Sequence, residues 1–289
     1  MKTGSAGKIS AKWKEYTRHP LSMALMLLVM LAAALTFAVL LFLLAYILIK
    51  GVPHLKPELF SFHYTSENVS MMPAIINTVF MTALALLIAV PLGIFSAVFL
   101  VEYAKRGNKF VNVIRLTTET LSGIPSIVYG LFGMLFFVTA LKWGYSILAG
   151  AFTLSVMVLP SIMRTTEEAL KSVPDSYREG SFGLGAGKLR TVFRIVLPAA
   201  VPGILAGVIL AVGRIVGETA ALIYTAGTVA QIPSNVFGSG RTLAVHMYNL
   251  SSEGLHVNES YATAVVLLVL VVGINALSGF AAKRMAASR

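Results

Sequence analysis

The sequence predicts an all-α membrane protein of about six transmembrane helices, and three observations predict it. Of 289 residues, 57% are hydrophobic and 12% charged, with a mean hydropathy of +0.81, far more apolar than a soluble domain. The charges leave uncharged runs at 21–49, 73–101, 120–141, 143–163 and 260–282, each long enough to cross a bilayer as a helix, which takes roughly 20 residues. A further apolar stretch, 199–226, is interrupted only by Arg214 and Glu218 and counts as another span.

The distribution of basic residues orients these spans. Segments 1–20, 102–119, 164–198 and 283–289 carry five, four, six and three of the 23 Lys and Arg. The alternate loops hold only Lys50, Lys56, Lys142 and Arg241. The positive-inside rule therefore puts both termini in the cytoplasm. The net charge of +11 follows from this topology, and no basic run interleaved with aromatics points to nucleic acid. The first run is too long for a signal-peptide core and is expected to be retained.

The chain divides into a cytoplasmic segment, 1–20, and a single transmembrane domain, 21–289, because no loop is large enough to fold alone. No internal repeat marks the duplicated halves of secondary transporters. Between the third and fourth spans the chain turns within Lys142, Trp143 and Gly144, which predicts a tight helical hairpin with aromatics at the interface. Pro91, Gly93, Gly123, Pro125 and Pro160 lie inside spans and allow close helix approach or kinks. Cysteine is absent and the five histidines show no metal-ligand spacing, so no metal site is expected.

The loop at 172–198 is too ordered for a linker. Pro174 suits a first helical turn, and Asp175 and Glu179 put negative charge near the positive end of a helix. Gly183, Gly185 and Gly187 interrupt it, and Leu189, Val192, Phe193 and Val196 then recur at helical spacing. Helix, glycine turn, helix is the expectation, an elbow suited to a groove on a soluble partner or to the lipid surface. The glycine run is no phosphate-binding loop: Phe182 stands where that motif needs its first glycine, and Leu189 follows the lysine instead of Ser or Thr.

This loop resembles the signature of importer permeases of the ATP-binding-cassette class: Glu-Ala-Ala, three residues, Gly, nine residues, Ile-x-Leu-Pro. Here Glu179, Gly180, Ser181, then Gly185, then Ile195, Leu197 and Pro198 occupy its positions, with Gly180 and Ser181 in place of two alanines. The resemblance implies the type I ABC importer permease fold, with 172–198 as the segment that couples to an ATPase. No cofactor is expected on this chain, since ATP and Mg would be bound by the ATPase.

Gly123-Ile-Pro-Ser-Ile-Val-Tyr-Gly130, Arg164-Thr-Thr-Glu-Glu-Ala169, Gly213-Arg-Ile-Val-Gly-Glu-Thr-Ala-Ala221 and His246-Met-Tyr-Asn-Leu250 are similar to phosphate importer permeases of the PstA type. That resemblance implies a sister permease of the PstC type, an ATPase dimer of the PstB type, an extracytoplasmic phosphate-binding protein of the PstS type, and a place in the inner membrane of a bacterium or archaeon.

Physical reasoning supports an anion path. An arginine near mid-membrane costs about 2.5–3.5 kcal/mol on the insertion scale, so Arg214 should face protein or water. Glu218, four residues on, is expected on the same helical face, and an Arg-to-Glu pair in that order is worth only about 0.2–0.5 kcal/mol on an isolated helix. Arg164 and Glu167, where the fourth span meets the cytoplasm, are further pathway candidates. Two other readings stand beside this one: a permease for another oxyanion such as molybdate or sulfate, and a self-sufficient secondary transporter, which leaves the elbow unexplained.

The absence of native cysteine makes the topology testable. Single cysteines at Ser66 and Ser251 should react with an impermeant thiol reagent in sealed cells, and one at Ser172 only after permeabilisation. Equal labelling at all three rejects the arrangement.

Overall fold

A computed structural model describes residues 20–105 and 107–287, without the side chains of 20 and 281–287. The expected N-terminal segment 1–20 thus falls almost wholly outside the described residues. Every regular element among the described residues is helical. Five helices are long and apolar enough to cross a bilayer, and a bent pair supplies a sixth span.

Helix α1, Pro20–Gly51, is apolar all round, the pattern of a helix solvated by lipid. It belongs for the most part to a separate compact unit, Met1–Lys50, and the remaining spans to another, Gly51–Arg289. In the second unit α2, Met72–Val98, runs on through a π turn, Phe99–Tyr103. A short amphipathic helix α3, Lys109–Ser122, leads to α4, Ser126–Gly133, which continues as a π turn to Ala140. Then come α5, Ile147–Lys171, and the elbow helix α6, Asp175–Gly183. A continuous span follows from α7, Lys188–Thr191, through a π turn into α8, Leu197–Val216. The chain ends with α9, Ala220–Ile223, α10, Leu243–Glu253, and α11, Val257–Ala287.

Helix α5 is the axis of this unit. Buried residues fill 61% of its most apolar window, against 33% for the spans at Met72–Tyr103 and Lys188–Val216 and 11% for Val257–Phe280. Its buried face, including Leu154, Met157, Val158 and Ile162, meets Met81, Ala85 and Ala89 of α2 and Ala211 and Ile215 of α8. Small residues set the spacing. A Cβ on Gly93 would lie 2.7 Å from Ile162 Cγ2, and one on Gly203 2.7 Å from Ala169 Cβ, so the backbones approach as closely as small-residue membrane interfaces allow.

Two expected spans are not straight helices. The third breaks at Gly123-Ile124-Pro125, where α3 and the segment Ser126–Ala140 meet at 104°, because Pro125 offers no amide and restricts the residue before it. The stretch 199–226 runs as one helix only to Val216, breaks at Gly217 and resumes as the short α9. Glu218 therefore lies beyond the helix that carries Arg214, and the expected shared helical face is corrected. The tight turn after the third span is present, with left-handed backbone at Lys142 (φ 57°) and Gly144 (φ 67°). Trp143 there stacks on Phe137 at 5.4 Å.

Helix spacing gives a stability test. A Cβ on Gly207 would stand 2.7 Å from Thr165 Cβ, whereas one on Gly213 of the same helix meets nothing within 4 Å. Gly207→Ala should destabilise by about 1–3 kcal/mol through overpacking, and Gly213→Ala should be neutral or stabilising. Thermal unfolding of the purified protein in detergent separates the two; equal shifts contradict the α5–α8 contact.

Candidate functional site

The elbow is built from its turn outward. Helix α6 ends with Leu184 as its last capping residue and Gly185 in the left-handed region at φ 79°. The Ala186 amide donates to the Ser181 carbonyl at 3.1 Å and the Gly185 amide to the Phe182 carbonyl at 2.9 Å, a Schellman motif in which glycine is favoured at the left-handed position. Ser181 Oγ lies 2.8 Å from Thr191 Oγ1 and ties the two arms together. A Cβ on Gly180 would meet nothing within 4 Å, so the glycine at this signature position is a matter of helix propensity and not of space.

The expected helix, glycine turn, helix is present, and the second arm runs on without a break into the next span. It is the first part of the α8 span, and its four apolar residues divide: Val192 and Val196 are fully buried, while Leu189 and Phe193 are 66% and 41% exposed. The π turn at Val192–Val196 precedes Pro198, which lacks an amide for the normal ladder, so the turn widens. Leu184, 91% exposed, joins Leu189, Tyr177, Phe182 and Ile195 on the open surface of the elbow.

What holds the elbow to the spans is Arg178, which the sequence reading missed. Its Nη2 and Nε donate to Glu102 Oε1 at 2.7 and 3.2 Å, its Nη1 to the Val173 carbonyl at 2.8 Å, and its Nη2 to the Leu170 carbonyl at 3.0 Å. Glu102 lies 76 residues away in the chain, and nothing in the local sequence announces the pair. Glu179 of the signature, by contrast, is exposed.

Arg164 and Glu167 do not pair with each other. Arg164 Nε donates to Glu168 at 3.1 Å, while Glu167 binds Arg115 at 2.7 Å and Lys171 at 2.6 Å. These groups line a cavity of about 220 Å³ with Thr118 and Ser122, so the structure does bring Arg164 and Glu167 to one cleft and adds Arg115 from α3. Arg214 is half-buried, makes no ion pair among the described residues, and lies within electrostatic range of Tyr129. Glu218, 8% exposed, instead accepts the Ala221 amide at 3.0 Å and caps α9. No cluster of metal-ligating side chains occurs among the described residues.

A transport subunit is the class this fold and elbow define. Residues 89–287 match the family described as binding-protein-dependent transport system inner membrane component, and the chain belongs to that family. It is 39% identical to the probable ABC transporter permease protein YqgI of Bacillus subtilis, over 78% of this chain and 81% of that one. It is 36% identical to the phosphate transport system permease protein PstA of Mycobacterium leprae, over 75% and 71% of the two chains. A chain of a bacterial alginate ABC transporter, solved with a pentasaccharide-bound periplasmic protein, shares the fold with a TM-score of 0.68 at 16% identity, over 95% and 98% of the two chains.

The clamp can be tested by itself. Removing one partner of a buried pair typically costs about 3–5 kcal/mol, and the side chains of Arg178 and Glu102 are only 15% and 8% exposed. Arg178→Met should raise amide hydrogen exchange across residues 175–191 without changing that of α5. Unchanged exchange in the elbow means that it is held by packing alone.

Proposed function

We propose that this chain is one half of the translocation path of an ATP-driven phosphate importer, with residues 172–198 seated on a separate ATPase dimer. The observation that carries the reading is the elbow. It presents exposed apolar side chains from a turn fixed by Gly185, and Arg178 couples it mechanically to α2 and α5. Motion imposed on such an elbow reaches the helices that line the cleft, because Glu102 and the carbonyls of Leu170 and Val173 move with the Arg178 guanidinium. ATP and Mg belong on the ATPase, of the PstB type. A sister permease of the PstC type completes the path, and a binding protein of the PstS type delivers the anion in the bacterial or archaeal inner membrane.

Phosphate is favoured over other cargo by relatives that carry that name and by the charges themselves. Arg214 offers a positive charge with no carboxylate partner among the described residues, whereas Arg164 and Arg115 at the cytoplasmic end are paired with Glu168 and Glu167. An anion passing these groups exchanges hydration for charge-assisted hydrogen bonds. Glu218 holds the turn after α8 in shape and so positions Arg214 without touching cargo.

Vesicles rebuilt with all partners separate coupling from conduction. Gly185→Leu, strained at positive φ, should lose ATPase co-purification and labelled phosphate uptake together. Arg214→Gln should co-purify normally and lose uptake at least tenfold. Normal uptake by either variant rejects the corresponding part of the reading.

A further inference from the structure

Arg241 has no role in the path described above, and its surroundings are unusual for a charge. It is 5% exposed, its Nε and Nη2 are buried without a hydrogen-bond partner, and no carboxylate pairs with it among the described residues. A buried guanidinium ordinarily has an anionic or hydrogen-bonding partner, because desolvation disfavours an isolated charge strongly. Beside it His246 is fully buried, with neither ring nitrogen in hydrogen-bonding geometry. Burial and the Arg241 charge, opposed by the nearby Val69 backbone, hold the imidazole neutral, with a pKa of about 3.

Among the described residues the guanidinium is engaged by Tyr64, whose ring lies 4.7 Å from it and meets His246 edge-on at 6.2 Å. The backbone on the arginine side is rigidly pinned. The Arg241 amide donates to the Val229 carbonyl at 2.9 Å, Asn77 Nδ2 donates to the carbonyls of Gln231 and Arg241, and the Leu243 amide donates to Thr78 Oγ1. The tyrosine side is a loop flap whose Val69 is buried with Leu59, Met71, Leu243 and Leu250, and Tyr64 packs against that core. Asn68 accepts the amides of Thr65 and Ser70 and donates to the His63 carbonyl, so residues 63–70 hold together as a unit. Val69 closes that unit at φ 39°, a strained conformation for a β-branched residue.

We propose that Arg241, with His246 at its side, is a binding site for a small oxyanion on the face opposite the elbow, closed in this conformation by the Tyr64 flap. A fixed guanidinium and an imidazole, short of acceptors, match the needs of a tetrahedral oxyanion. An aromatic face holds the cation when the anion is absent. Turning the Tyr64 ring aside exchanges it for the anion. The site would lie on the side from which cargo enters, and this inference rests on the anion-importer reading.

The test is equilibrium binding of labelled inorganic phosphate to the assembled, nucleotide-free importer without its binding protein. Arg241→Gln should weaken binding at least tenfold and Arg241→Lys less, with assembly checked by co-purification. Tyr64→Ala, which removes the competing ring, should tighten binding several-fold, and this variant decides the matter if Arg241→Gln fails to assemble. Unchanged affinity in Arg241→Gln, or unchanged or weaker affinity in Tyr64→Ala, overturns the site while leaving phosphate import intact. Arg241-dependent binding of sulfate or molybdate in preference to phosphate keeps the site and overturns the choice of phosphate.

Discussion

Lipid offers no hydrogen bonds, so a chain that breaks its helices inside the membrane-spanning part must satisfy the freed backbone groups within the protein. The rest of this structure depends on how that constraint is met at 123–125 and 217–219. The helices that follow the two breaks are packed against each other: a Cβ on Gly130 of α4 would lie 2.8 Å from Ala221 Cα of α9. Tyr129 donates to the Leu121 carbonyl at 2.8 Å across the first break. Glu218 accepts the Ala221 amide across the second, and the Ser146 amide donates to the Thr225 carbonyl at 3.0 Å.

This arrangement explains why Arg214 can remain without a carboxylate. A paired Arg214 and Glu218 would be a closed electrostatic unit with little left for cargo. By committing Glu218 to the end of α9, the break leaves the guanidinium available, next to helix α4 and its Tyr129. The polar groups at the two ends of the path are handled differently. At the elbow end Glu167 balances two cations, Arg115 and Lys171, whereas at the opposite end Arg241 is covered by an aromatic ring.

The proposed coupling also has a physical basis in the contrast between exposed and buried parts of the elbow. Leu184 and Leu189 face outward, ready for a partner, while Val192 and Val196 join Ala97, Val98, Ala169 and Leu170 in a core of their own. The same short segment therefore joins an exposed apolar surface, the proposed docking site, to the packing of α2, α5 and α8. Buried cores shift between discrete packings and do not deform continuously, so displacement of the elbow is passed to the spans.

The number of spans, the elbow and its glycine turn were legible in the sequence, because each rests on local rules: uncharged run length, helical spacing, and a glycine where φ must be positive. The signature at Glu179 to Pro198 carried the family for the same reason, since its spacing is a property of consecutive residues. The bend at Gly123 to Pro125 was signalled by residue type but not by size. Only the tertiary structure decided that Glu218 leaves the helix of Arg214, that Glu167 turns to Arg115, that Arg178 reaches Glu102, and that Tyr64 covers Arg241. Those pairings join residues from separate elements, and a side chain's partner across such distances is set by helix packing, to which hydropathy and local spacing are blind.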